Sequence, residues 1–221
     1  TSNKLDVVYE VSSRLWNLPR ESWDLPESPN GHIVELLSEN ALFACMVGHL
    51  MNGEPAAMTS YESFFTIIAS QVMQELKFVE QSRAVSWRKP IPAINLLSTS
   101  TCWRQDHNGF THQSPALISL LLSNPSGLAN CFFPIDDVAA EASMIYMLRS
   151  EDVVNLNTFN KIDLPRWIDS HQADQMLHDG GAGVLEFISD QGEPDYVLTG
   201  AGDIVSSEAI RAIEILRKDL P

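Results

Sequence analysis

Short apolar runs punctuate this chain, and most are followed by a longer stretch whose apolar positions recur at helical spacing. Ile33-Val34-Glu35-Leu36-Leu37, Ala93-Ile94-Asn95-Leu96-Leu97, residues 128–133 and Val153-Val154-Asn155-Leu156 have the length and content of buried strands. Residues 38–51 are largely apolar, of helical length, and closed by the turn dipeptide Asn52-Gly53. Phe64, Phe65, Ile68, Val72 and Leu76 mark a second helix from 61 to about 81, with Ser60 as its N-cap. Ser114-Pro115 opens a third helix to about 123, and residues 135–148 form a fourth.

Strands alternating with helices predict an α/β fold, a parallel sheet with helices on both faces and right-handed crossovers. Ligands of such sheets bind beyond the carboxyl ends of the strands. Residues 1–31, rich in proline and tryptophan without periodicity, read as a linker, and residues 32–165 as the α/β domain. Residues 160–193 break the rhythm and read as a connection. A strand at Tyr196-Val197-Leu198-Thr199, a glycine turn and a helix over 206–216 then read as the truncated start of a second domain, so that 166–221 comprise connection and beginning. A lone strand and helix cannot bury both faces, so this tail must lean on the first domain or fray.

Charge sharpens the picture. The net charge of -15 argues against nonspecific nucleic-acid binding, which requires clustered lysine and arginine. Residues 1–80 hold 4 basic and 11 acidic side chains, residues 81–133 hold 4 and 1, and residues 134–221 hold 6 and 17. The one basic island, Arg83, Arg88, Lys89 and Arg104 against Asp106, could receive a small anion. No apolar run approaches the roughly 20 residues of a membrane span. Three widely spaced cysteines in apolar surroundings suit reduced thiols, and with the lack of a readable leader they lead to the expectation of a cytoplasmic protein.

The polar stretch after the third strand holds the candidate chemistry. His107 and His112 flank Asn108-Gly109, a strong turn dipeptide, so both imidazoles can face one cavity and act as two proton-transfer groups, or can simply cap the loop. Their spacing also fits half of a zinc finger, but no Cys-x-x-Cys pair completes four ligands.

Thr99-Ser100 and then Trp103-Arg104-Gln105-Asp106-His107-Asn108-Gly109-Phe110-Thr111-His112-Gln113 resemble the most characteristic stretch of the xylulose 5-phosphate/fructose 6-phosphate phosphoketolase family. Glu35-Leu36-Leu37-Ser38-Glu39, Ser60-Tyr61-Glu62-Ser63-Phe64, Trp87-Arg88-Lys89-Pro90-Ile91, Leu148-Arg149-Ser150, Pro165-Arg166-Trp167 and Ala201-Gly202-Asp203 resemble further family landmarks in family order. The resemblance implies the pyrimidine-binding domain of a thiamine diphosphate enzyme, with the diphosphate and its magnesium or calcium held by a separate N-terminal domain of the same or a second subunit. The Gly-Asp-Gly motif of that metal site does not occur here, so this chain is expected to hold no metal and to be inactive alone. The full-length enzyme is expected to be a homodimer or larger.

By resemblance, Glu39 contacts the pyrimidine nitrogen N1′, and Tyr61 and Phe64 lie beside the cofactor, where a helical turn of separation would let them flank a planar ring. Burial of Glu39 among Leu36, Leu37, Ala41 and Leu42 would keep its carboxyl partly protonated. His107 and His112 match histidines that protonate a leaving hydroxyl, Gln105 and Asn108 match residues that hold substrate and phosphate, and Lys161 and Arg83 match cations that meet the substrate phosphate. The implied reaction joins xylulose 5-phosphate or fructose 6-phosphate with inorganic phosphate to give acetyl phosphate and a shortened aldose phosphate. Asn40 and Thr101 stand where the family usually has histidine, and Ser114-Pro115-Ala116 replaces Asp-Pro-Gly. A catalytically impaired paralogue with an assembly or regulatory role, and a transketolase-like enzyme, are the alternatives.

Overall fold

The computed structural model describes residues 14–17, 30–101, 103, 109–190 and 192–219. Its main sheet has four parallel strands in the order β3-β4-β6-β5, where β3 is Ala57–Ser60, β4 is Ile94–Ser98, β5 is Ala129–Phe132 and β6 is Val154–Thr158. Helices cover both sides, which makes the unit α/β as the alternation of elements requires.

One face of the sheet is apolar. Met58 of β3, Ile94 and Leu96 of β4 and Val154 and Leu156 of β6 pack with three helices, α1 (Glu39–Leu50), α2 (Ala69–Ser82) and α3 (Ala116–Leu122). Phe43 and Leu50 of α1 and Val72 and Leu76 of α2 are almost wholly buried there. Each such side chain contributes about 1.5–3 kcal/mol by leaving water. The other face is built differently. The alternate residues Asn155 and Asn157 of β6 are fully buried, and Asn157 Nδ2 donates to Ser143 Oγ of α4 (Asp137–Arg149) at 2.8 Å. Parallel strands buried on both faces are commonly apolar throughout. Here the second face carries buried asparagines beside Leu97 and Phe132.

That polar face is organised as a chain of donors. Asn130 Nδ2 donates to Asn155 Oδ1 at 3.0 Å, Asn155 Nδ2 to Asn95 Oδ1 at 2.8 Å, and Asn95 Nδ2 to the Ala56 carbonyl at 3.1 Å. The three asparagines are register partners across β5, β6 and β4.

Several sequence expectations are corrected. The run at 33–37 forms only β2 (Ile33–Glu35), and it pairs in parallel with β1 (Arg14–Asn17) in a separate two-stranded sheet. The first strand of the main sheet is β3, whose composition of alanine, methionine, threonine and serine carries no strand signal. Ser60 ends β3 and caps no helix; residues Glu62–Ile68 form a 3-10 helix before α2 begins. The connection over 160–193 contains α5 (Ser170–His178), capped by a reciprocal box between Asp169 and Gln172. Residues 196–199 form no strand, and Tyr196 is 91% exposed.

The tail leans on the first unit. Asp136, the N-cap of α4, is buried and accepts the backbone N–H groups of Trp167 and Ile168 at 2.7 and 3.0 Å. Helix α6 (Asp203–Asp219) buries Ile204 and Ile210. Burial raises the Cys131 thiol to about 11, so it is unreactive at neutral pH. Among the described residues no helix is long and apolar enough to cross a membrane.

Candidate functional site

At the carboxyl edge of the main sheet the strands end in hydroxyl residues: Ser60 on β3, Ser98 on β4 and Thr158 on β6. The ladders run one residue past the strand ends. The Thr99 N–H donates to the Ser60 carbonyl at 3.1 Å and the Phe159 N–H to the Ser98 carbonyl at 3.0 Å. Ser100 Oγ accepts the Glu62 N–H at 3.0 Å and lies 3.4 Å from the His112 carbonyl, to which it donates. Glu62, only 3% exposed, accepts the Ser114 N–H at 2.8 Å, and Ser63 Oγ donates to the Thr111 carbonyl at 2.8 Å. These bonds clamp the far side of the motif loop to the segment after β3.

Four expected site residues meet on this frame. The His112 ring stands edge-on to Tyr61 with centroids 4.9 Å apart, and it lies 5.3 Å from Phe64. Lys161, three residues beyond β6, places Nζ 4.4 Å from the centre of the Tyr61 ring. Thr111 Oγ1 is 3.2 Å from His112 Nδ1. Glu39, in the first turn of α1, accepts Ser60 Oγ at 3.1 Å across 21 residues of sequence, so it reaches the residue next to Tyr61. One polar and aromatic surface therefore carries a carboxylate, a phenol, an imidazole and an ammonium.

The details correct the sequence reading in three ways. Tyr61 and Phe64 are perpendicular, at 88° and 5.7 Å, rather than parallel walls, because a 3-10 turn and not an α-helix separates them. The apolar shell expected around Glu39 is missing in this chain, since Leu37 is fully exposed and Ala41 is also exposed. Arg83 is not brought to the cluster. It caps the far end of α2 and donates to the Asp152 carbonyl at 3.4 Å, at the amino edge of the sheet. Five-residue strands separate the two edges by about 16 Å. Arg88 of the basic island also turns to Asp152, in a two-pronged pair at 2.7 and 2.9 Å. His107, Gln105 and Asn108, with Arg104, lie outside the described residues.

Sequence reading missed Ser60, Glu62, Asn160 and Asp203. Asp203 carried a signal: Gly202-Asp203 before an amphipathic run is a helix start, and Gly202 has φ +93°. Asn160 N donates to Asp203 Oδ2 and Asn160 Nδ2 to Asp203 Oδ1, both at 2.8 Å. Beside them a cavity of about 170 Å³ is lined by Glu62, Thr101, Trp103, Thr158 and Asp203 among others. Of the positions where the sequence departs from the resembled pattern, Thr101 Oγ1 accepts Asn160 Nδ2 at 3.2 Å and the Asn40 carbonyl accepts Gln71 Nε2 at 3.4 Å.

The carboxyl edge, where these groups gather, is the place at which open α/β sheets bind ligands. Comparison with known proteins makes this specific. Residues 1–150 match the family model for D-xylulose 5-phosphate/D-fructose 6-phosphate phosphoketolase, and residues 161–221 match that for its C-terminal domain. The chain belongs to the phosphoketolase family. It is 37% identical over 229 residues to a "Probable phosphoketolase" of Thermosynechococcus vestitus and 36% identical over 220 residues to one of Rhodopseudomonas palustris. A "Probable phosphoketolase" of Streptomyces avermitilis is 35% identical over 223 residues. Each alignment covers 100% of this chain, which spans 28% of the length of these relatives.

Proposed function

We propose that this chain is the pyrimidine-binding part of a larger thiamine diphosphate-dependent lyase that cleaves xylulose 5-phosphate or fructose 6-phosphate with inorganic phosphate, yielding acetyl phosphate and an aldose phosphate. The observation that carries this reading is the convergence of Tyr61, Phe64, His112 and Lys161 at the carboxyl edge of the sheet. In this reading residues 32–165 are the pyrimidine-binding unit, residues 166–221 begin the C-terminal domain, and the diphosphate with its divalent metal belongs to an N-terminal domain of the same or a second subunit. The enzyme works as a cytoplasmic homodimer or larger assembly.

The residues present fit an aminopyrimidine. Glu39 presents a carboxylate oriented by Ser60, and among the described residues its Oε2 makes no hydrogen bond, leaving it to face a ring nitrogen. Tyr61 and Phe64 offer an aromatic edge and face to a planar heterocycle. When bound, thiamine diphosphate supplies a carbanion that cleaves the sugar carbon–carbon bond. The chain's own residues do the rest. Glu39 shares a proton with the ring, His112 delivers one to a departing hydroxyl together with His107, Gln105 and Asn108 hold substrate and phosphate, and Lys161 meets the sugar phosphate. The half-exposed setting of Glu39 supports a cofactor site completed by another domain or subunit.

The test is phosphate-dependent formation of acetyl phosphate by the full-length protein on both sugars. Product is expected from the full-length protein and none from residues 1–221 alone. His112→Ala should lower kcat by about a hundredfold, the scale of one lost general acid. Thiamine diphosphate binding without product from either sugar would overturn the reading in favour of a catalytically impaired paralogue, for which the residues at Asn40 and Thr101 are the candidate cause.

A further inference from the structure

Lys161 sits in a loop beyond the sheet, and a lysine on a free loop would sample many directions at a cost in affinity each time it was ordered. Here its predecessor is held by three hydrogen bonds. Asn160 gives both its backbone N–H and its side-chain Nδ2–H to the Asp203 carboxylate at 2.8 Å, and the same Nδ2 reaches Thr101 Oγ1 at 3.2 Å. Asp203 is only 5% exposed, and among the described residues it has no ion-pair partner. Its charge is instead met by the Asn160 donors, the Ile204 N–H at 2.7 Å and its place as the first residue of the 17-residue helix α6. A buried carboxylate committed to one loop residue fixes the φ and ψ of the peptide leading into Lys161. The lysine then extends over the Tyr61 ring.

We propose that Asp203 is a positioning residue, by which the first turn of α6 sets the direction of the Lys161 ammonium, both residues belonging to the segment that matches the family's C-terminal domain while Tyr61, Phe64 and His112 lie in the first 150 residues. The inference rests on the reading of Lys161 as the contact for the sugar phosphate. It assigns Asp203 no contact with substrate or cofactor.

The experiment uses the full-length protein carrying Asp203→Ala, Asp203→Asn, Lys161→Ala and the Asp203→Ala/Lys161→Ala pair. Asp203→Ala should raise KM for the sugar phosphate about tenfold, the equivalent of one charged hydrogen bond, and should change kcat less. Asp203→Asn, which keeps one acceptor oxygen, should lie between it and the parent. In the Lys161→Ala background the Asp203→Ala effect on KM should vanish, since both changes remove the same contact. Independently of turnover, acetylation of Lys161 by an N-hydroxysuccinimide ester, measured by mass spectrometry against exposed Lys89, should rise in Asp203→Ala. Unchanged Lys161 labelling, or KM effects that add in the double variant, would overturn the inference. A full-length protein without turnover whose Lys161 labelling still rises would defeat the functional reading and support the positioning role of Asp203.

Discussion

The two edges of the main sheet are built on opposite principles. At the amino edge Asp152, with its side chain 10% exposed, holds Arg88 in a two-pronged pair and also accepts the Ile91 N–H at 3.2 Å. Its backbone is left-handed at φ 54°, a conformation that aspartate tolerates better than most residues. At the carboxyl edge Thr158 Oγ1 and Asn157 Oδ1 are buried without a hydrogen-bond partner, and the ionisable side chains touch rings and hydroxyls more than opposite charges. One edge spends its charges on itself. The other sets its charges against amides, hydroxyls and rings.

Substitution at the amino edge should therefore cost stability, and the largest cost is expected at Asp152. Asp152→Ala strands a nearly buried Arg88 and puts alanine at a positive φ, so urea denaturation should show a loss of about 3 kcal/mol or more. Burial alone would raise the Asp152 carboxyl, but the Arg88 hydrogen bonds, the Ile91 N–H and the nearby Arg83 charge together hold it below its usual range. Its folded value lies below its unfolded value of about 3.9, so its stabilising contribution is full above that pH and is lost as the pH falls through the folded value. Asp152→Asn should flatten this acid limb of the denaturation midpoint, and an unchanged limb would dissociate the edge from its ion pair.

An intermediate loss is expected in the polar face that links the edges. Asn155→Leu leaves the Asn95 acceptor and the Asn130 donor unmet, for a loss of about 2–3 kcal/mol by the same denaturation measurement. The smallest effect belongs to the carboxyl edge. Thr158→Val removes a hydroxyl that already lacks a partner, and the Tm should stay level or rise slightly. A marked fall in Tm there would erase the contrast between the edges.

How far the sequence was readable follows the same division. Helix α1 and strands β4 and β6 follow from their apolar content, because they contribute to the buried core, whereas α4 was legible from its length although it buries only Ser143 and Met147. Strand β3 and the pairing of β1 with β2 do not, since four unremarkable residues become a strand only when a neighbour is in place. The capping box at Asp169 and Gln172 was in plain view as a signal for α5. In the site, the family resemblance gathered Tyr61, Phe64, His112 and Lys161 from four places in the chain, where spacing alone could offer only a polar loop. It could not reveal that α2 carries Arg83 to the opposite edge. The bond of Asp203 to Asn160 escaped because the two lie 43 residues apart.

The asparagine chain bears on how the molecule finds its shape. Its three amides all donate in one direction, from β5 through β6 and β4 to the Ala56 carbonyl just before β3. Strands distant in sequence must therefore arrive in one order and one alignment, for a slip of a single residue would set leucine or isoleucine against an amide and turn the apolar row outward. An apolar interface would forgive such an error and trap it. A directional row of amides makes a misaligned assembly less stable than the native one, since buried donors and acceptors would lose their partners.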